Sequence, residues 1–182
     1  LDGLDSILTR FAGRIDVAVD ACQGRISPEA ITGYLARGAM VFVTGSKFFG
    51  GPPFSAFALV PQTLGQRMER GEPAPAGLAD FFAMGDVPHT WRSCAGVLSD
   101  AANFGMVLRL EAALFEMERF LALPTAQVDA VIAAFNAAME TLPAALPFRL
   151  ADQGTAGDLE GSPPHPLDRK TLHVVELTLN HP

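Results

Sequence analysis

Two polar clusters, each at the end of an apolar run, carry residue types that could do chemistry. Asp20-Ala21-Cys22-Gln23 follows Arg14-Ile15-Asp16-Val17-Ala18-Val19, and Thr44-Gly45-Ser46-Lys47 follows Ala39-Met40-Val41-Phe42-Val43. A lysine amine attacks an aldehyde carbon only when deprotonated. A pyridine ring joined to the resulting imine draws electrons away only while its nitrogen stays protonated, and a carboxylate beside that nitrogen raises its pKa. Asp20 and Lys47 are the acid and the amine that such imine chemistry needs. They stand 27 positions apart, about one helical crossover.

The elements between them are arranged to bring them together. Arg14 to Asp20 reads as a buried strand. Ser27-Pro28-Glu29 opens a helix, with Ser27 at the N-cap, Pro28 at the first helical position and Gly38 closing it. Ile31, Tyr34 and Leu35 share one face of that helix. Ala39 to Thr44 is a second strand, so the order is strand, helix, strand: a βαβ unit of an α/β fold with a mainly parallel sheet and flanking helices. Carboxyl ends of adjacent strands in such a sheet face one crevice, which places Asp20 and Lys47 at the same opening.

The two clusters, with the following Phe48-Phe49-Gly50-Gly51-Pro52-Pro53, resemble the core of fold-type I pyridoxal-phosphate-dependent enzymes, nearest to class V aminotransferases and cysteine desulfurases. The resemblance covers about Asp16 to Val60. It implies pyridoxal 5'-phosphate as cofactor, Lys47 as the Schiff-base residue and Asp20 as the partner of the pyridine nitrogen. It further implies Gln23 at the phenolic oxygen and Ser46 at the phosphate, with Thr44 as a weaker match. It implies an amino-acid substrate, a homodimer, and a chain forming part of the cofactor-binding large domain and the start of a small α/β domain. The family's phosphate loop and ring-stacking residue precede this segment, so the chain alone is expected to be inactive.

Other candidates are weaker. Arg92, after Trp91 in a loop, could clamp a substrate carboxylate, although a surface arginine is the plainer reading. Gly45-Ser46-Lys47 lacks the order and the upstream glycine of a nucleotide-binding P-loop, and no dinucleotide fingerprint follows a strand. Cys22 has no histidine in its flanks, Cys94 has only His89 nearby, and His165, His173 and His181 lack ligand spacing. Asp80 and Asp86 read as loop residues.

Composition narrows the classes further. Apolar residues are 49% and charged residues 18%, a globular composition, and the net charge of −7 opposes binding to nucleic acid or an anionic membrane. Two cysteines make no disulfide framework, and a cytoplasmic location is the default. No apolar run reaches the roughly 18 residues of a membrane span. Leu1 at the start and a strand-like run ending at Pro182 suggest a piece of a longer protein.

Downstream, a strand is expected over Phe54 to Val60, helices over Gln62 to Arg70, Leu98 to Leu123 and Thr125 to Leu142, and a strand over Leu172 to Leu179. Gly71 to Gly77, Asp86 to Arg92 and Ala151 to Pro166 read as loops. The large-domain part is expected to run over 1–123 and the small-domain part over 124–182. The first expectation for function is an aminotransferase. The alternatives are a lyase, desulfurase or decarboxylase of the same fold, or a non-catalytic remnant serving as an interaction domain.

Overall fold

Helix α1 (Asp2–Arg10) leads through a turn to strand β1 (Ala18–Asp20), helix α2 (Pro28–Ala36) and strand β2 (Met40–Thr44) in the computed structural model. Strand β3 (Ala56–Leu59), helices α3 (Gln62–Arg70), α4 (Phe104–Leu121) and α5 (Thr125–Thr141), and strands β4 (Phe148–Leu150) and β5 (Val175–Leu177) follow. The structure describes residues 2–71, 73–141, 148–151, 165, 167 and 173–177. By its internal packing the chain divides into two units, Leu1–Phe120 and Leu121–Pro182.

The start and stop of α2 follow from its cap residues. Ser27 Oγ accepts the N–H of Ala30 at 3.1 Å, and Pro28 occupies the first turn, where its missing N–H costs nothing. Gly38 adopts φ 80° just past the helix and donates its N–H to the Leu35 carbonyl at 3.0 Å, the left-handed exit that glycine makes cheaply. Arg37 Nε reaches Asp5 of α1 at 2.8 Å, a half-buried pair of modest worth.

The first unit's sheet has the order β1-β2-β3. β1 runs parallel to β2, with Asp20 opposite Phe42, whereas β3 runs antiparallel to β2, with Ala58 opposite Phe42. The fold is thus mixed α/β, but these strands form one parallel and one antiparallel ladder, not the mainly parallel sheet expected. The reason lies in the connection: residues 45–55 contain no helix, and a parallel return needs a crossover of about a dozen residues or more, usually helical.

One face of the sheet carries Val19, Val41, Val43, Phe57 and Leu59, packed with Ile31, Tyr34 and Leu35 of α2 and Met117 of α4. By register, Ala18, Asp20, Phe42, Thr44, Ala56 and Ala58 share the other face. Of these only Thr44 is buried, and Phe42 remains 40% exposed. A second cluster of Ala74, Cys94 and Leu98, with Trp91 and Met84 against it, packs the region after α3.

Several expected boundaries shift. β1 starts at Ala18, because Phe11 to Arg14 forms a turn with Gly13 at φ 69°. α4 begins at Phe104, where Asn103 Oδ1 accepts the Met106 N–H at 3.0 Å, while Ser99 bridges to Ala83. The loops after α3 contain short 3₁₀ turns, Ala76–Asp80, Met84–Asp86 and Arg92–Cys94. In the second unit β4 and β5 pair antiparallel, and β4 had no forecast. Most of the Ala151 to Pro166 loop, and both ends of the strand expected over Leu172 to Leu179, lie outside the described residues. Among the described residues, no single helix is long and apolar enough to cross a membrane.

Candidate functional site

Asp20 ends β1 on the sheet face opposite the core, exposed to solvent. Its Oδ1 accepts the N–H of Cys22 at 2.9 Å. That bond, then one from the Cys22 thiol, hold its carboxyl below the ordinary carboxylate range; slight desolvation opposes them, and the Lys47 ammonium lowers it further. Asp20 is therefore an anion at neutral pH, and Lys47 lies within electrostatic reach of it. Lys47 is itself exposed, three residues past the end of β2.

The turns carrying these two residues touch. Gly24 adopts φ 68°, and a Cβ built there would stand 2.7 Å from Phe49 Cε2. The turn after β1 therefore packs directly against the ring two residues beyond Lys47, and only glycine permits both the backbone angle and the approach.

Lys47 rides on a loop closed at its base by the Gly51 N–H donating to the Gly45 carbonyl at 2.8 Å. Gly50, at φ 73°, donates its N–H to the Lys47 carbonyl at 3.1 Å. Thr44 is 5% exposed, and its Oγ1 lies 2.8 Å from Ser46 Oγ and accepts the Ser46 N–H at 3.3 Å. Thr44 Oγ1 also donates to the Ser55 carbonyl at 3.4 Å, and with its one hydrogen used there Ser46 is the donor within the Thr44–Ser46 pair.

Gln23 is exposed, and its Oε1 accepts Arg25 Nη2 at 3.3 Å. Engaging the oxygen leaves the amide NH₂ as its donor. Asp20, Lys47, Ser46 and Thr44 are thus gathered at the tips of β1 and β2, with Gln23 on the adjoining turn. Arg92 is different: its exposed side chain starts a 3₁₀ turn that packs with α3.

Cys22 is not an activated thiol. Burial pushes its pKa up, and Asp20 raises it further by hydrogen bond and charge, outlasting the opposing pull of Lys47. Cys94 is 2% exposed, with Ser93 Oγ at 3.9 Å from its sulfur, and both cysteines are free thiols. Asp86 Oδ2 accepts the Ala83 N–H at 2.9 Å, a turn-forming role. His173 Nε2 lies 2.8 Å from Asn136 Oδ1, His165 Nδ1 accepts the Leu167 N–H, and His181 lies outside the described residues. Among the described residues no group of three or more His, Cys, Asp or Glu side chains could hold a metal ion.

The charge order around Asp20 predicts a measurable response. Lys47→Met should raise the Asp20 pKa, but leave it below the ordinary carboxylate value, because the Cys22 N–H is the larger cause. Carboxyl ¹³C titration reads this directly; an Asp20 restored fully to the ordinary value would make Lys47 the dominant partner instead.

Sequence reasoning did not identify Gly24 or Phe49 as parts of this site. A glycine just past a strand-end acid and two adjacent phenylalanines after a lysine were available signals for both. Neither a family model, nor a curated protein, nor a solved structure matches this chain.

Proposed function

We propose that the chain is the lysine-bearing part of a pyridoxal-phosphate-dependent enzyme acting on an amino acid, with transamination as its reaction. The observation that carries this reading is an anionic Asp20 and an exposed Lys47 at the ends of neighbouring parallel strands, within electrostatic reach of each other. The donor set fits the cofactor's chemistry. Asp20 would take the protonated pyridine nitrogen, Lys47 the aldehyde, Ser46 a phosphate oxygen with Thr44 holding the Ser46 hydroxyl, and Gln23 the phenolic oxygen through its NH₂ group. When bound, the cofactor supplies an electron sink at the substrate's α-carbon.

Lys47 would have two tasks in this reading: its amine would hold the cofactor through the aldehyde carbon, and it would move a proton at the substrate's α-carbon. Asp20 keeps the ring nitrogen protonated. Lyase, desulfurase or decarboxylase chemistry would use the same residues, with different contacts to the substrate. Arg92 as a substrate clamp is a minor part of the proposal. A homodimer, a reducing cytoplasm and a mainly parallel sheet in the whole cofactor domain complete it.

The exposed Ala18, Phe42, Ala56 and Ala58, on the same face as Asp20, favour a second reading, in which this layer is an interaction domain that kept the fold without the chemistry.

Lys47 and Lys170 are the only two lysines, which makes the discriminating experiment clean. After incubation with pyridoxal phosphate and reduction with borohydride, the label should appear on the Lys47 peptide at least tenfold faster than on Lys170. Lys47→Arg should abolish the fast phase. Equal labelling of the two lysines would leave only the interaction-domain reading.

A further inference from the structure

We propose that α4 positions Lys47: Ala113 seats both feet of the lysine loop, and Phe49, packed edge-on against Phe120, ties that loop to the turn carrying Asp20. This deepens the cofactor reading and rests on Lys47 being the reactive amine.

The feet of the loop are Gly45 and Gly51, and both meet the same residue. A Cβ on Gly45 would lie 2.5 Å from Ala113 Cβ, and a Cβ on Gly51 would lie 3.0 Å from Ala113 Cα. Ala113 is fully buried. Loop backbone and helix backbone are thus in direct contact, with no side chain thick enough to cushion a change. On the crest of the loop, Phe48 and Phe49 pack edge-on against each other at 5.3 Å and against Phe120 at 5.1 and 5.5 Å. Such ring pairs hold a defined geometry and do more than cover area.

Phe49 has a second neighbour in Gly24, four residues after Asp20. The chain of contacts therefore runs from Ala113 and Phe120 in α4, through the loop, to the Asp20 turn. The gap between acid and amine is set by how the loop sits on the helix. Ala113, Phe49 and Phe120 are positioning residues that need not touch a ligand.

The test compares the ratio of labelling rates, Lys47 over Lys170, with pyridoxal phosphate. In that reaction the amine and aldehyde lose water, and borohydride then delivers hydride to the new carbon–nitrogen bond. Phe49→Ala and Ala113→Val should each lower the ratio at least fivefold, and Phe49→Tyr should restore it to within twofold. Phe120→Leu serves in place of Ala113→Val if the latter does not fold. Leu98→Ala, which loosens the other cluster, is the control for general destabilisation and should leave the ratio within twofold.

Unchanged ratios in Phe49→Ala and in the α4 variant, or an equal fall in Leu98→Ala, would overturn the proposal. Failure of the cofactor reading looks different: the wild-type chain would then show no preference for Lys47. Positioning can still be read in that case, from the ¹³C-methyl NMR resonance of Lys47 after reductive methylation with ¹³C-formaldehyde. The Lys47 chemical shift at neutral pH should move in Phe49→Ala and stay in Leu98→Ala; no movement in either would sink the proposal.

Discussion

Asp20→Asn is expected to weaken the attachment of pyridoxal phosphate at Lys47 by roughly tenfold to a hundredfold, the scale of losing one charge-assisted hydrogen bond. The amide keeps the size of the side chain and an acceptor oxygen for the Cys22 N–H, so the turn after β1 keeps its form. What it removes is the anion. An amide cannot favour the protonated pyridine nitrogen, and the bound ring loses the partner that keeps it cationic.

The pH dependence separates this from a general loss of structure. Asp20's folded pKa is depressed, by the Cys22 N–H first, then its thiol and Lys47. A depressed acid contributes stability that is present above its unfolded pKa and lost as pH falls through the folded value. The wild-type chain should therefore hold its affinity down into the lower part of the carboxylate range and lose it below that, and Asp20→Asn should be weak throughout and lack that acid limb. A variant as tight as wild type at neutral pH would remove Asp20 from the site. Because the group is exposed, the same substitution should change the melting temperature little.

The βαβ unit was readable because local signals agreed there. Ser27-Pro28 and Gly38 each have one physical use at a helix end, and the apolar spacing of Ile31, Tyr34 and Leu35 fits the face that packs on the sheet. α3 was equally legible, from Gln62 to Arg70. The direction of β3 was missed, since Phe54 to Val60 is apolar whichever way it runs. The helix-free stretch from Gly45 to Ser55 was the usable clue.

β4 is only three residues long, and no alternation can be seen over so few positions. The segment from Leu98 to Asn103 looked helical by its continuity with α4. Asn103 as a cap was the contrary signal, and the Ser99 to Ala83 bridge is a tertiary contact that no local pattern records.

For the site, residue types pointed to Asp20 and Lys47, and the strand order explains why they lie at one opening. What holds them there was not legible. Gly45 and Gly51 look like ordinary turn glycines, yet it is Ala113, more than sixty positions away, that makes them necessary. Close approach between a loop and a helix leaves no trace in either segment alone.

That contact supports a large stability effect. Gly45→Val should destabilise the fold by about 2–3 kcal/mol, the upper part of the range for overpacking a filled interior. The first carbon of the new side chain would already stand 2.5 Å from Ala113 Cβ and 3.5 Å from Ser55 Oγ, and neither neighbour can swing aside. Ala113 has no rotamer to change, and Ser55 is fully buried with its hydroxyl donating to the Pro52 carbonyl at 2.7 Å. The strain must therefore move α4 away from the loop or lift the loop from the helix, and the aromatic contacts of Phe48 and Phe49 with Phe120 loosen in either case.

At this chain length the melting temperature should fall by roughly 4–12 °C, read by circular dichroism or calorimetry. Gly3→Val is the matching control. A Cβ there meets nothing within 4 Å, and Gly3 lies in α1, where most side chains improve helix propensity over glycine, so this variant should melt at or slightly above wild type. If Gly45→Val melts with the control, the lysine loop does not rest on α4, and the tie between that helix and the Asp20–Lys47 gap is lost with it.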